Sequence, residues 1–343
     1  MDTLAIVILN YNGQSFLAKF LPTVLAYAEG HPVYVADSAS TDGSVAFVQD
    51  NFPAVRLIKL AHNGGYAGGY NMALEYIRTH HGGARYYVLP NSDIEVTPGW
   101  IAPVLSLLES NPKIAACQPK ILSYSQRDTF EHAGAAGGFV DKLGYVFCRG
   151  RVFATFETDQ GQYNDNQQVF WATGACLFVR ADLFHQAGGF DTTFFAHMEE
   201  IDLCWRLQRL EYEVWACGQS TVYHVGGGTL PKSNPHKTYL NYRNSLFMLY
   251  KNWPADGWLW GKILLRLVLD GVSSLLFLKV GQWRDVQAII RAHFAFYGHL
   301  PYLRRQRKAL RQQQKQAVAL YPYSIVWQYF VKGKKTFREL RDL

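Results

Sequence analysis

Consecutive apolar residues recur in short runs through the first 120 positions. Between them lie stretches whose apolar residues return every three or four positions. The runs at 4–11, 33–38, 56–60 and 85–93 read as buried strands. The stretches at 14–28, 43–50 and 66–80 read as helices, the first despite Pro22. TPGW then opens a further helix, with Thr97 expected as its N-cap and Pro98 at its first position. Wholly apolar strands alternating with helices predict a mostly parallel sheet covered on both faces. Ligands of such sheets bind beyond the carboxyl ends of the strands. The polar residues at 10–13, 37–42, 63–71 and 91–93, each just after a run, are therefore the candidates.

Beyond residue 120 the pattern loosens. Residues 123–168, rich in glycine, polar and aromatic residues, predict irregular excursions or hairpins. Residues 170–180 read as a strand, 199–210 as a helix, and 213–228 as a strand ending in His224 and three glycines. From about residue 237 long aromatic-rich helices take over, and no internal repeat is present.

Composition narrows the class. The chain has 343 residues, 49% hydrophobic and 18% charged, enough to bury one large core or two modest ones. Its net charge of +7 is unevenly spread: 11 of 34 cationic and two of 27 acidic side chains lie in 301–343, a local +9. That leaves 23 against 25, or −2, for residues 1–300, which excludes a basic nucleic-acid-binding domain there. The five cysteines, without a C-x-x-C pair, predict reduced thiols rather than a zinc ribbon or disulfide framework. The opening residues lack the pattern of a secretory leader, so a cytoplasmic location is expected.

Three segments carry chemistry. NGGYAGGYN (63–71) is neither G-x-G-x-x-G nor a P-loop. It links a strand to a helix, so its amides suit either a diphosphate or a tight turn. In VADSASTDGS (35–44), Asp37 ends a strand where a carboxylate can accept from a ribose or base, while Asp42 suits a turn or cap. In LPNSDIEV (89–96), Asp93 emerges where a carboxylate can hold a divalent ion.

These segments in this order resemble the inverting family 2 glycosyltransferases of the A-type fold, in particular the bacterial rhamnosyltransferase-like branch. The matching pieces are VILNYNG, ADSASTDGS, HNGGYAGGYNMAL, LPNSD, FWATGACLFVR, GGFDTTFFAHMEEIDLCWRL and YHVGGGT, covering roughly residues 3–250. The resemblance implies a Rossmann-like α/β sheet with a helical C-terminal extension. It implies a catalytic region over 1–250, with a nucleotide-sugar half (1–120) and an acceptor half (121–250), followed by a basic, membrane-associating region over 251–343. Tyr11, Asn12, Asp37, Asn63, Gly64, Gly65, Asn71, Asn91 and Asp93 would face the nucleotide sugar. Asp93 and His224 would hold Mg²⁺ or Mn²⁺, with Asn91 where relatives carry the first acid of D-x-D. Glu200, in HMEEIDLCWR, would be the general base, one methylene longer than the usual Asp. Glu199 and Asp202, beside it, are the further catalytic candidates. Trp171 would serve the acceptor as an aromatic platform or stand as a core tryptophan. Gly174 would line that pocket, and Arg243 would meet a phosphate.

Residues 258–280 are long enough to cross a bilayer, yet Lys262, Arg266, Asp270 and Ser273/Ser274 form one polar stripe. Two central charges at about 2.5–3.5 kcal/mol each roughly cancel the aliphatic gain. An in-plane amphipathic helix, or one packed on the catalytic region, is expected instead. The basic tail would add attraction to an anionic surface, or fold onto this chain's own acidic surface. The expected partners are a nucleotide-sugar donor, a lipid-linked or polysaccharide acceptor, and the inner membrane face through 258–343, with no nucleic acid.

Overall fold

The computed structural model describes residues 2–226, 234–253, 258–313 and 318–340. The strands are β1 (Asp2–Asn10), β2 (Val33–Asp37), β3 (Arg56–Lys59), β4 (Ala84–Pro90), β5 (Ile94–Val96), β6 (Ile114–Ser123), β7 (Gly138–Val140), β8 (Val146–Cys148), β9 (Arg151–Val152), β10 (Thr155–Phe156), β11 (Asn166–Val169), β12 (Cys176–Arg180) and β13 (Glu213–His224). The helices are α1 (Gln14–Ala26), α2 (Ser44–Asn51), α3 (Gly65–His80), α4 (Ala102–Ser110), α5 (Ala181–Gln186), α6 (Glu199–Arg209), α7 (Pro235–Asn252), α8 (Leu259–Lys279), α9 (Trp283–Gly298), α10 (Leu300–Gln313) and α11 (Ile325–Phe330).

One mixed sheet runs β11-β13-β6-β12-β4-β1-β2-β3, with β5 added on β13. β1 is parallel to β2 and β4, β2 to β3, and β6 to β13, whereas β12 is antiparallel to both its neighbours. Along β1, Leu4, Ile6 and Ile8 enter the core shared with α1 and α4, while Ala5 and Val7 enter the opposite core with α3. A strand buried on both faces has no polar position to spare, which is why this run shows no alternation.

Three local expectations change. Thr97 does not cap a helix: its hydroxyl donates to the Thr221 carbonyl at 2.7 Å, and Gly99 has φ +69°. α4 instead begins at Ala102, with a proline in its first turn. The run at 85–93 ends as a strand at Pro90 and restarts as β5 after Asp93. The run at 170–180 is a strand only from Cys176, because Phe170 and Trp171 bond to Gly138 instead.

Residues 138–156 form a small four-stranded sheet, the hairpin excursion expected from their composition. Against it packs a cluster from the C-terminal segment: Tyr321, Ile325, Tyr329 and Leu340. Asp141 ties the two together by accepting from the Ile325 amide at 2.8 Å. The described part of the basic tail is thus folded onto the protein. Its other part, α10, packs on α7 and α9. Lys315 and Arg341 lie outside the described residues.

Candidate active site

The loops beyond the carboxyl ends of β1, β2 and β4 carry the first group of candidates. Asp37 is buried; its Oδ2 accepts from Asn10 Nδ2 (2.8 Å) and Ser40 Oγ (2.7 Å), and its Oδ1 from the Ser40 amide (2.9 Å). Asn12, at φ +50°, accepts through Oδ1 from the Thr41 and Asp42 amides at 2.7 and 3.2 Å. These bonds lock the two loops into one wall, with Tyr11 exposed beside it. Asp42 bonds Ser44 and Gln14, the turn role expected of it.

Asn63 accepts from the Gly65 amide at 2.9 Å and so opens α3. Gly65 has φ +68°, and a Cβ there would stand 2.4 Å from the Phe195 carbonyl. The Ala67 amide donates to that same carbonyl at 3.1 Å. The Gly-rich segment is therefore the seat of the loop entering α6. Gly65→Ala should destabilise the protein by at least the roughly 1–2 kcal/mol of a left-handed alanine. A melt in which the variant unfolds at the same temperature would refute this close approach. Gly64 is packed against Gly68, and Asn71 clamps Phe190, donating to its carbonyl at 2.8 Å and accepting from its amide at 3.0 Å.

Asp93 meets His224 because β5 pairs antiparallel with β13 in a register that sets Ile94 opposite His224. The Asp93 Oδ1 lies 3.2 Å from His224 Nε2, and Glu131 Oε2 lies 3.1 Å from His224 Nδ1. All three side chains are buried. Burial disfavours the imidazolium, but the hydrogen bonds and charges of Asp93 and Glu131 outweigh it and raise the His224 pKa. Burial likewise works against the Glu131 charge, and His224 more than compensates, lowering its pKa. The sequence reading missed Glu131, which is 93 positions from its partner and sits in a segment without periodicity. Among the described residues no three His, Cys, Asp or Glu side chains are arranged to hold a metal ion.

The second group surrounds the start of α6. Phe195, His197 and Met198 all have positive φ, at 64°, 70° and 73°. Such a run in non-glycine residues needs outside support. Asn244 supplies it by donating from Nδ2 to the carbonyls of Phe194, Ala196 and His197 at 2.9, 2.8 and 2.7 Å. Arg243 donates to the Thr193 and Phe194 carbonyls, both at 3.0 Å, so its guanidinium braces this loop. Glu199 and Glu200 then open α6, each with a buried Oε2 that has no hydrogen-bond partner among the described residues. Desolvation raises the Glu200 pKa to about 7, partly offset by amides of its own turn and of Gly174. Burial and the neighbouring Glu200 push Glu199 well higher. The structure thus offers a carboxyl poised to exchange a proton near neutrality beside one whose pKa is raised further by burial and by Glu200.

Asp202 differs. It is buried, with Oδ2 on Arg206 Nε (2.8 Å) and Lys251 Nζ (2.9 Å) and Oδ1 on Asn252 Nδ2 (2.7 Å). Both oxygens are engaged, so it anchors α6 to α7 and has no room to take a substrate proton. Trp171 is 4% exposed, its Nε1 donates to the Phe139 carbonyl at 3.1 Å, and its ring lies directly on Gly138. This closes the aromatic-platform reading and leaves a core tryptophan. Gly174 stays in the site: its carbonyl accepts from Tyr66 at 2.7 Å, and its neighbour Ala175 accepts from the Asn91 amide at 2.9 Å. Residues 174–175 therefore join the Asp93 loop to the Glu200 turn.

Loops at the carboxyl edge of a mostly parallel sheet, with a buried acid–imidazole–acid cluster and a carboxyl of raised pKa beside them, agree with one comparison above all. Residues 5–188 match the model of glycosyl transferase family 2. The chain belongs to this family. It is a glycosyltransferase of α/β fold with a helical C-terminal region. It is 28% identical over 290 residues to the N-acetylglucosaminyl-diphospho-decaprenol L-rhamnosyltransferase of Mycobacterium tuberculosis, covering 80% of this chain and 91% of that one. It is 23% identical to the low-salt glycan biosynthesis hexosyltransferase Agl10 of Haloferax volcanii, over 71% of this chain and 74% of that one. Among solved structures, the mannosyltransferase PcManGT of Pyrobaculum calidifontis, determined with GDP-Man and Mn²⁺, superposes with a TM-score of 0.52. It shares 15% identity, over 86% of both chains. That likeness concerns the fold.

Proposed function

We propose that this glycosyltransferase moves a sugar from a nucleoside diphosphate to a hydroxyl of a lipid-linked or polysaccharide acceptor with inversion, as a step of cell-surface polysaccharide synthesis. The observation that carries the reading is Glu200 beside Gly174, its pKa raised to about 7 and its Oε2 without a partner among the described residues. Glu200 takes the acceptor hydroxyl's proton as that oxygen bonds to the anomeric carbon. The bond to the diphosphate oxygen breaks on the opposite face, and its electron pair leaves with the diphosphate. Tyr11, Asn12 and Asp37 border the nucleotide, and the 63–65 turn borders the sugar diphosphate. Tyr66, donating to the Gly174 carbonyl, holds in place the segment that Glu200 packs against.

Asp93 and His224 supply a hard oxygen and an imidazole nitrogen, a donor set that suits Mg²⁺ or Mn²⁺. The fit rests on the geometry of the cluster: Glu131 holds the Nδ1 side of His224, while Nε2 faces the Asp93 carboxylate at 3.2 Å, where an ion would take the place of the Nε2 proton. When bound, the ion neutralises the diphosphate as it leaves. Glu131 orients His224, as carboxylates do behind metal-ligating histidines. The acceptor reading is supported by the mycobacterial relative's diphospho-decaprenol acceptor and by the apolar exterior of α8, which favour work at the cytoplasmic face of a membrane.

The test is calorimetric titration of uridine, guanosine and deoxythymidine diphosphates with and without Mn²⁺. One nucleotide should bind more tightly with the ion, and Asp93→Asn should remove that gain, a loss of about tenfold to a hundredfold. Metal-independent binding of every nucleotide would overturn the assignment of Asp93 and His224.

A further inference from the structure

α8 is turned inside out relative to an ordinary surface helix. Its polar stripe faces inward: buried Arg266 donates to the Leu143 carbonyl at 3.2 Å and to Ser245 Oγ, and buried Asp270 accepts from His293 Nε2 at 3.1 Å. The outward side is apolar, with Leu264, Val268, Val272, Leu275 and Leu276 each more than half exposed. Trp258 and Trp260 mark the start of this face and Trp283 follows its end, the placement aromatic residues take at a membrane–water boundary. None of the described helices is long and apolar enough to cross a membrane.

At the tryptophan end of this face a cavity of about 570 Å³ opens between α7, the start of α8 and α10. Arg304, Arg307, Lys308 and Arg311 line it along one face of α10, with Trp260 and Tyr250 opposite. Among the described residues no carboxylate lines it, and of the four cations Arg307 is already engaged, donating to the Tyr250 carbonyl at 2.6 Å. Like charges three and four positions apart destabilise a bare helix. Their field reaches inward as well: after burial, Arg311 is the next cause lowering the Arg209 pKa. A site of this kind, cationic and beside an apolar face, matches a phosphate group at the surface of a bilayer.

We propose that this cavity binds the phosphate headgroup of an anionic phospholipid while the outward face of α8 lies in the same leaflet. The proposal rests on the reading that the enzyme works at a membrane and names the lipid chemistry it would meet there. The cations act on the headgroup, the tryptophans on the interfacial layer, and the aliphatic row on the acyl chains.

The experiment is co-sedimentation of the full chain with phosphatidylcholine vesicles with and without one-third phosphatidylglycerol, at low and high salt. Binding should require phosphatidylglycerol and weaken with salt. At a factor of about five per cation, Arg304→Ala/Lys308→Ala/Arg311→Ala should bind about a hundredfold more weakly. Its melting temperature should hold or rise as the repulsion is relieved, and its nucleotide affinity should not change. Lys308→Glu alone should act in the same direction. Millimolar inorganic phosphate should compete poorly, since it lacks the acyl chains. Undiminished vesicle binding by the triple variant, with wild type bound, would sink the cavity assignment alone. No binding of wild type to either vesicle would sink both it and the membrane reading, leaving the sugar-transfer reading to its own nucleotide titration. RNA retention lost in the triple variant without vesicle binding, or dimerisation removed by Leu275→Ser/Leu276→Ser without it, would also overturn the proposal.

Discussion

Glu200→Gln is expected to lower the turnover of sugar transfer by about 10²–10⁴-fold while leaving nucleotide affinity unchanged. The amide keeps the shape of the side chain and its contacts with the turn, but it cannot take a proton. The pH dependence follows from the same group. Burial raises the Glu200 pKa to about 7, so only the ionised fraction works as a base. Below that value kcat/KM should fall about tenfold per pH unit as Glu200 protonates, and above it the profile should level off. The glutamine variant should lose this limb along with its activity. Normal turnover by Glu200→Gln, or a wild-type profile flat from pH 5 to 8, would remove Glu200 from the base role.

Asp202→Asn is expected to act on stability instead. The change leaves Arg206 and Lys251 buried without the charge they share, and breaking such a pair costs about 3–5 kcal/mol. Lys251 keeps Asp191 at 2.6 Å, so a loss near the lower end, about 3 kcal/mol, is expected. Urea denaturation should show it as a lower midpoint with an unchanged slope. Below the new transition the variant should still turn over. A variant of wild-type stability that lost its activity would return Asp202 to the reacting centre. The two substitutions therefore separate neighbours that lie two positions apart on one helix.

The helical turn explains why the sequence could not separate them. Glu199, Glu200 and Asp202 all suit the first turn of α6 by charge alone. Their roles diverge through partners distant in sequence: Lys251 and Asn252 reach Asp202 from α7, whereas Gly174 reaches Glu200 from the segment before β12. Trp171 and Arg243 show the same limit. One is closed off by Gly138, and the other is drawn onto carbonyls some 50 positions away. Glu131 and Asn244 left no trace in any motif, since each acts only through a fold-made contact.

The C-terminal region depends on distant partners in the same way. Periodicity showed a polar stripe on one side of residues 258–280, and a soluble helix normally turns such a stripe to water. Here Ser245 and His293 satisfy it from inside, so the apolar side is left outward.

What the sequence determined by itself was the alternating strand–helix order and the loops that bear Asp37, Asn63, Asp93 and Glu200. Apolar runs and their polar ends are local features, and an ordered series of motifs survives in one dimension. The tertiary structure alone decided which carboxylates are spent on structure and which remain poised, that Glu131 completes the Asp93–His224 cluster, and which side of α8 faces out. Those outcomes depend on desolvation and on partners 20 to more than 100 positions away, and neither is encoded in the spacing of neighbouring residues.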